Sequence, residues 1–403
     1  MLDSLQRRGA PLAFALASAT LFAACATTPA ASGTSTPAGD AGGFVVTLGN
    51  DTTVVERFTR SATRLEGELL RRAPTTLVTR YAVDLDAAGR PTRIVYRTRR
   101  PDGSRLPNGA DSVMLTFAGS EVTRVIQLDS VVRATASAAN ASPFIAESFA
   151  LYELALRAAR SAGMDSTQLA FLPVAGQRLA LNPWAVRFTS PTAARVYYFG
   201  DPQQVTLDAS GRVLAVDATA TTNKVRVTRV AAVDLAGLAA QFASREASGG
   251  ALAQTTRDTA RASLGGASIW IDYGRPVARG RQVFGAGGLV PPGAVWRTGA
   301  NAATHFRTDR ALDFGGTAVP AGTYTLYTLP DASGAYLLII NRQTGQWGTV
   351  YDQAQDLARI PLRVEPLATP AERFTISVEP QGTGGVLALS WDRTRLSAPF
   401  TVR

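Results

Sequence analysis

One short run, Trp296-Arg297-Thr298-Gly299-Ala300-Asn301, combines an aromatic ring, a guanidinium and a carboxamide. On a single loop such a set suits a sugar or a carboxylate. The ring offers a stacking face, and Arg and Asn offer directed hydrogen bonds. Arg275, Arg281 and Tyr324 join it as candidate ligand-binding residues if the strands that carry them converge. A competing reading makes the same loop pure architecture, with Trp296 in the core and Arg297 and Asn301 satisfying loop carbonyls, since Asn readily caps turns.

Catalytic chemistry has little to build on. His305 is the only histidine, which excludes a His-based metal cluster. No Gly-x-Ser-x-Gly elbow is present to partner it, and His305 reads as a strand residue beside Phe306. Asp309 with Asp313, and Asp352 with Asp356, are the nearest carboxylate pairs, but no motif frames them. Asp331, Ser333 and Gly334 read as a turn rather than a calcium loop. Gly265-Gly266 and Gly287-Gly288 lack the Gly-Lys-Ser/Thr of a phosphate loop. No catalytic residue, metal ligand or cofactor is assigned. The residues lean away from an enzyme and leave one alternative, a carboxylate-dependent hydrolase of envelope polymers using Arg275, Arg297 and Asn301.

The N-terminus bears on location. Arg7-Arg8 precedes an uncharged, mostly apolar run from Ala10 to Ala24, too short for the ~20 residues of a membrane span and matching a signal-peptide core. The residues after Arg7-Arg8 do not fit a twin-arginine signal. Leu21-Phe22-Ala23-Ala24-Cys25 resembles the bacterial lipobox, with Phe22 where Leu is usual. That resemblance implies cleavage before Cys25, the only cysteine, and its diacylation. The alternative is an ordinary signal peptide cleaved near Ala24 or Ala26. Lipidation would leave no thiol for a disulfide or a metal. The expected place is the cell envelope, on a membrane through the N-terminal lipid. Ala26, where an Asp would resemble an inner-membrane retention signal, favours the outer membrane, facing the periplasm.

The net charge is +10 over 403 residues, and Lys224 is the only lysine. The arginines are scattered, so genome composition explains the bias better than a binding surface, and a nucleic-acid partner is not expected. An envelope glycan, lipid or protein is.

The elements expected to position these residues are mainly β, in two domains. Residues 1–24 are the signal and 25–43 a tether too polar and small to order itself. Residues 44–247 read as an α+β antiparallel sheet, 248–263 as a linker and 264–403 as a β-sandwich or jelly-roll-like domain. In the first domain, 79–86 with 92–99, 113–117 with 122–128, and 205–208 with 212–217 form hairpins. The turns at Asp86 and Asp208 have nearly the same text, through duplication or reuse of one favoured turn. Ser142 and Pro143 start a helix running to Gly163, and 54–72 reads as a second helix. Two helices on a curved sheet make a half-barrel, a shape similar to that of periplasmic lipoprotein carriers, which admits a lipid carrier as a further alternative.

In the last third, 268–273 alternates as a strand, 324–329 pairs with 336–340, and 373–379 pairs with 386–391. The series Gly274-Arg275-Pro276, Gly280-Arg281, Val283-Phe284-Gly285, Trp296 to Asn301, Pro320 to Tyr324, Leu338 to Asn341 and Gln346-Trp347-Gly348 closely resembles the bacterial domain-of-unknown-function family 2911. Ala286 and Gly287 lengthen one loop relative to that pattern. The resemblance spans about residues 267–403, implies an exported β-rich domain, and carries no activity. Together these features describe an exported binding module for a glycan, lipid or protein.

Overall fold

The structure is a computed structural model that describes residues 39–403 apart from positions 73, 164, 177 and 199. The signal segment, Cys25 and nearly all of the tether lie outside the described residues.

Period-two alternation dominates the first half of the chain, and fifteen strands result. They are β1 (Asp40–Leu48), β2 (Asp51–Arg60), β3 (Arg64–Arg71), β4 (Leu77–Leu85), β5 (Pro91–Arg99), β6 (Ser112–Ala118), β7 (Glu121–Gln127), β8 (Val131–Ser137), β9 (Ser142–Phe144), β10 (Ser166–Pro173), β11 (Asn182–Ser190), β12 (Ala193–Tyr197), β13 (Gln203–Leu207), β14 (Val213–Asp217) and β15 (Arg226–Val230). They form one open sheet, ordered β8-β7-β6-β5-β4-β3-β2-β1-β15-β14-β13-β12-β11-β10-β9. Only β9 with β10 runs parallel. Helix α1 (Phe149–Ser161) lies against β1, β2, β9 and β10, while β5 approaches β9, so the sheet curls over the helix. One core joins α1 to both arms of the sheet. Helix α2 (Leu235–Ala247) packs on the opposite face, through Leu235, Ala239 and Phe242 against Leu70 and Val78. The neighbours Leu69 and Leu70 illustrate the division, one facing each core.

Three expectations are corrected here. Residues 54–72 are not a helix but β2 and β3. The β-branched Thr52-Thr53-Val54-Val55 favours strand, and Gly67 is needed there because a Cβ would lie 2.1 Å from Cζ of Tyr81 on β4. Ser142-Pro143 does not start the helix: both belong to edge strand β9, where Pro's missing donor is tolerated. The cap is Ser148, whose hydroxyl accepts from the Leu151 N–H. The tether and linker are also shorter than expected. β1 begins at Asp40, with Gly43 so close to its neighbour that a Cβ would sit 2.4 Å from the Glu56 carbonyl. The supposed linker contains most of β16 (Thr256–Leu264).

The remaining strands are β17 (Ala267–Arg275), β18 (Thr304–Thr308), β19 (Leu312–Phe314), β20 (Thr317–Val319), β21 (Gly322–Pro330), β22 (Tyr336–Asn341), β23 (Asp356–Gln381) and β24 (Gly384–Val402). With β16 they form a second ladder, β16-β17-β18-β21-β22-β23-β24-β19-β20. It folds back through the long β23 and β24. The Tyr273 hydroxyl on β17 accepts from Ile376 N–H on β23 at 3.1 Å. A second hydrophobic core fills the fold. The molecule is therefore mainly β, with two large sheets and, among the described residues, no closed barrel.

The halves meet where the β1–β2 turn touches the turn after β17. Asn50 N–H donates to the Arg279 carbonyl at 3.0 Å, and Arg279 pairs with Asp51. Gly49 and Gly280 both take positive φ, 62° and 67°. A Cβ on Gly49 would lie 2.3 Å from the Arg279 carbonyl oxygen, and one on Gly280 2.0 Å from the side-chain Nδ2 of Asn50.

Candidate functional site

A cavity of about 580 Å³ lies inside the curl of the first sheet, at the N-terminal end of α1 and next to the joint between the halves. Phe144 of β9, Phe149 and Tyr152 of α1, Trp184 of β11 and Tyr198 give it an aromatic wall. The rings are in contact: Trp184 stacks on Tyr198 at 4.2 Å and meets Phe144 edge-on at 5.3 Å. Val46, Val54, Val216, Val225 and Leu252 add aliphatic surface. The size and lining are those of a small-molecule pocket.

Polar residues also line it, among them Thr53, Arg71, Glu147, Gln203, Arg279 and Asn301. The Tyr152 hydroxyl donates to Gln203 Oε1 at 3.1 Å, and burial raises its pKa above the usual phenol value. Arg71 and Glu147 pair at 2.9 Å beside the cavity. The Trp184 indole N–H is buried and has no hydrogen-bond partner.

A buried carboxylate holds α1 in place. Glu56 on β2 accepts from Ser148 Oγ at 2.6 Å and Tyr81 Oη at 2.7 Å through one oxygen. The other oxygen accepts from the Phe149 and Ala150 N–H groups at 2.7 and 2.9 Å. These are free donors of a helix first turn, so Glu56 fixes where Phe149 and Tyr152 sit. Burial pushes its carboxyl above the ordinary value, outweighing those four hydrogen bonds.

The expected ligand residues divide into two groups. Arg275 pairs with Asp258 at 2.8 Å and bonds Thr375 Oγ1 and the Phe374 carbonyl. Tyr324 is buried beside Phe306, its hydroxyl on the Pro320 carbonyl at 3.0 Å. Trp296 stacks on Trp391 at 5.6 Å and meets Phe374 at 4.9 Å. These three are engaged within the second half and do not line the cavity. Asn301 does line it, with φ +63°. Arg297, on the same loop, bonds the Asn301 carbonyl at 3.3 Å. Arg281 bonds the Ala278 and Val277 carbonyls at 2.8 and 2.6 Å, with its stem beside Gly49.

Lys224 completes the second group. Its neighbours Asn223 and Val225 line the cavity, and its ammonium is within electrostatic reach of Arg297 and Arg281. Sequence reasoning read the lone lysine as a composition effect and missed the aromatic wall, whose residues span β9 to β12. The one available signal was that exception, Lys224, in a chain that otherwise uses arginine.

The other chemistry considered is occupied by the chain itself. His305 Nε2 accepts from Gly345 N–H at 3.0 Å, and burial lowers the imidazole's pKa. Asp309 accepts from Ser268 N–H and Asp352 caps Ala354. Asp313 accepts from Gly316 N–H and pairs with Arg403. Asp356 bonds Asn341, Tyr351 and Arg359, and the Tyr351 phenol is pushed up to about 12, by burial first. Among the described residues no group of three or more His, Cys, Asp or Glu is placed to hold a metal ion.

A second concavity, of about 960 Å³, runs along the alanine-rich face of α1. Its guanidinium groups are matched: Arg60 pairs with Asp40 and Glu153, each at 3.2 Å, and Arg157 with Glu153 at 3.2 Å.

Residues 255–400 match the family described as "Protein of unknown function (DUF2911)". The match includes β16, so it starts earlier than the motifs suggested. No curated protein matches the chain. Among solved structures, a DUF1089 family protein from Pseudomonas aeruginosa is 12% identical over 41% of this chain and 90% of that one, with a TM-score of 0.31. A likeness that low carries no argument.

Proposed function

We propose that this protein is a non-catalytic binding module of the cell envelope that holds an apolar or amphipathic molecule in the aromatic cavity beside α1. The observation that carries the reading is the wall of Phe144, Phe149, Tyr152, Trp184 and Tyr198 around about 580 Å³. Its polar lining includes the Tyr152–Gln203 pair, the Arg71–Glu147 pair and Arg279, which is paired with Asp51. Such a wall rewards apolar surface, and the charged groups of the lining are already paired within the chain. Of the three ligand classes expected, lipid fits best.

The test uses the full chain carrying Cys25→Ala, which cannot be lipidated and needs no detergent. N-phenyl-1-naphthylamine, a neutral fluorophore, should bind with a blue-shifted, enhanced emission. Val225→Trp, which fills the cavity from its half-buried edge, should abolish the signal while thermal unfolding remains cooperative. Equal binding by the folded variant would place the probe elsewhere and remove the proposal.

Export and anchoring belong to the same reading. They are supported by Arg7-Arg8, the apolar run to Ala24 and the lipobox-like Leu21 to Cys25. Labelled palmitate should enter the wild-type chain and not Cys25→Ala; equal labelling of both would remove Cys25 as the anchor.

A further inference from the structure

Close to the cavity, though not among the residues that line it, stand three cations without an ion-pair partner. Lys224, Arg281 and Arg297 form no ion pair among the described residues. The two arginines bond only backbone carbonyls, and Lys224 makes no hydrogen bond there. All three are partly buried. Arg60, Arg157 and Arg229 are by contrast matched to Asp40 and Glu153, whereas Arg72 and Arg373 also hydrogen-bond only to backbone carbonyls. The carboxylates that favour Arg281 are Asp51 and Glu372, and both are engaged by Arg279: Asp51 pairs with its guanidinium and Glu372 accepts its backbone N–H at 2.8 Å. Asp201 alone remains to favour the charge of Lys224.

The three come from different loops, each with a neighbouring residue in the cavity lining, and Lys224 is within electrostatic reach of both arginines. Asn223 and Val225 flank Lys224, Asn301 closes the Arg297 loop, and Arg279 precedes Arg281 by two residues; all four line the cavity. The stem of Arg297 is also held in place. Its Cδ lies 2.5 Å from where a Cβ on Gly348 would stand, so only glycine lets that loop close over it.

We infer that the molecule taken by the aromatic cavity is an amphiphile with a phosphate head, its apolar part against Trp184 and Tyr152 and its head held by Lys224, Arg281 and Arg297. Like charges gathered in a partly desolvated place repel one another and have lost some hydration, and an anion relieves both costs. The guanidinium fork matches phosphate oxygens, and the ammonium adds a point charge. Burial first and Arg297 next lower the Lys224 pKa from the ordinary lysine value, which agrees with an unrelieved positive site.

This inference rests on the cavity reading, and one experiment separates the two. N-phenyl-1-naphthylamine is bound to the full Cys25→Ala chain and displaced with dodecyl phosphate, 1-dodecanol or inorganic phosphate. Dodecyl phosphate should compete about tenfold or more better than the alcohol, the scale of one charge-assisted contact. Lys224→Ala and Arg297→Ala should each reduce that advantage, and together with Arg281→Ala remove it, with the affinity for the neutral fluorophore retained. Equal competition by alcohol and phosphate, or an advantage that survives the triple variant, overturns the phosphate head. Inorganic phosphate that abolishes the advantage at equal concentration overturns the amphiphile in favour of free phosphate. A wild-type chain that fails to bind the fluorophore removes the cavity reading, and the inference with it.

Discussion

Glu56 is a carboxylate with no cation beside it, fully buried and surrounded by four donors. Replacing it with Ala would leave Ser148, Tyr81 and the first turn of α1 without their acceptor. Chemical denaturation should then register a loss of about 3 kcal/mol, the scale of several buried unsatisfied groups. The pH dependence has a definite sign. Because burial raises the folded carboxyl above the ordinary 4.5, its contribution to stability is fully present below that value and is lost as pH rises through the folded one. Glu56→Gln removes this titration. The stability of the wild type relative to Glu56→Gln should therefore improve as pH falls from neutral towards 4.5. A relative gain with rising pH would mean that the hydrogen bonds and helix dipole, not burial, dominate this site.

At the scale of elements, legibility followed how local each signal was. The hairpins at 79–99 and 205–217 were readable because Asp-x-x-Gly turns are closed by their own residues. Asp86 Oδ1 accepts from the Ala88 and Arg90 N–H groups, and Asp208 accepts from Ser210 and Arg212 in the same way. Asp331 repeats the arrangement with Ser333 and Ala335 in the second half of the molecule, which favours a reused turn over a duplicated domain. The segment 54–72 was misread because its strand character depends on partners far away: Gly67 makes room for Tyr81, which in turn reaches Glu56. Ser142-Pro143 has the composition of a helix start, yet the helix begins where Glu56 can cap it. The candidate site was half readable for the same reason. Arg281, Arg297 and Asn301 stood out by type, but only the fold separates them from Trp296, Arg275 and Tyr324, which pack or pair internally. Tyr152, Trp184 and Lys224 belong to no motif and become neighbours only when β9 to β15 have curled over α1.

At the scale of the molecule, the account joins an open, curled sheet with an aromatic interior to charges on nearby loops of both halves, Lys224 from the first and Arg281 and Arg297 from the second. Gly49 and Gly280 allow the two turns to approach closely enough for Arg279 to engage Asp51 and Glu372, the acids that would otherwise serve Arg281. Under the proposal, residues 255–400, matched to a family of unknown function, add Arg279 and Asn301 to a cavity lined mainly by the first half. Native mass spectrometry of the full chain isolated from expressing cells tests this most directly. The account predicts one non-covalent amphiphile per chain, released on denaturation and absent from Val225→Trp. Bare protein in both preparations, or an adduct that persists at equal occupancy in the folded variant, would contradict it.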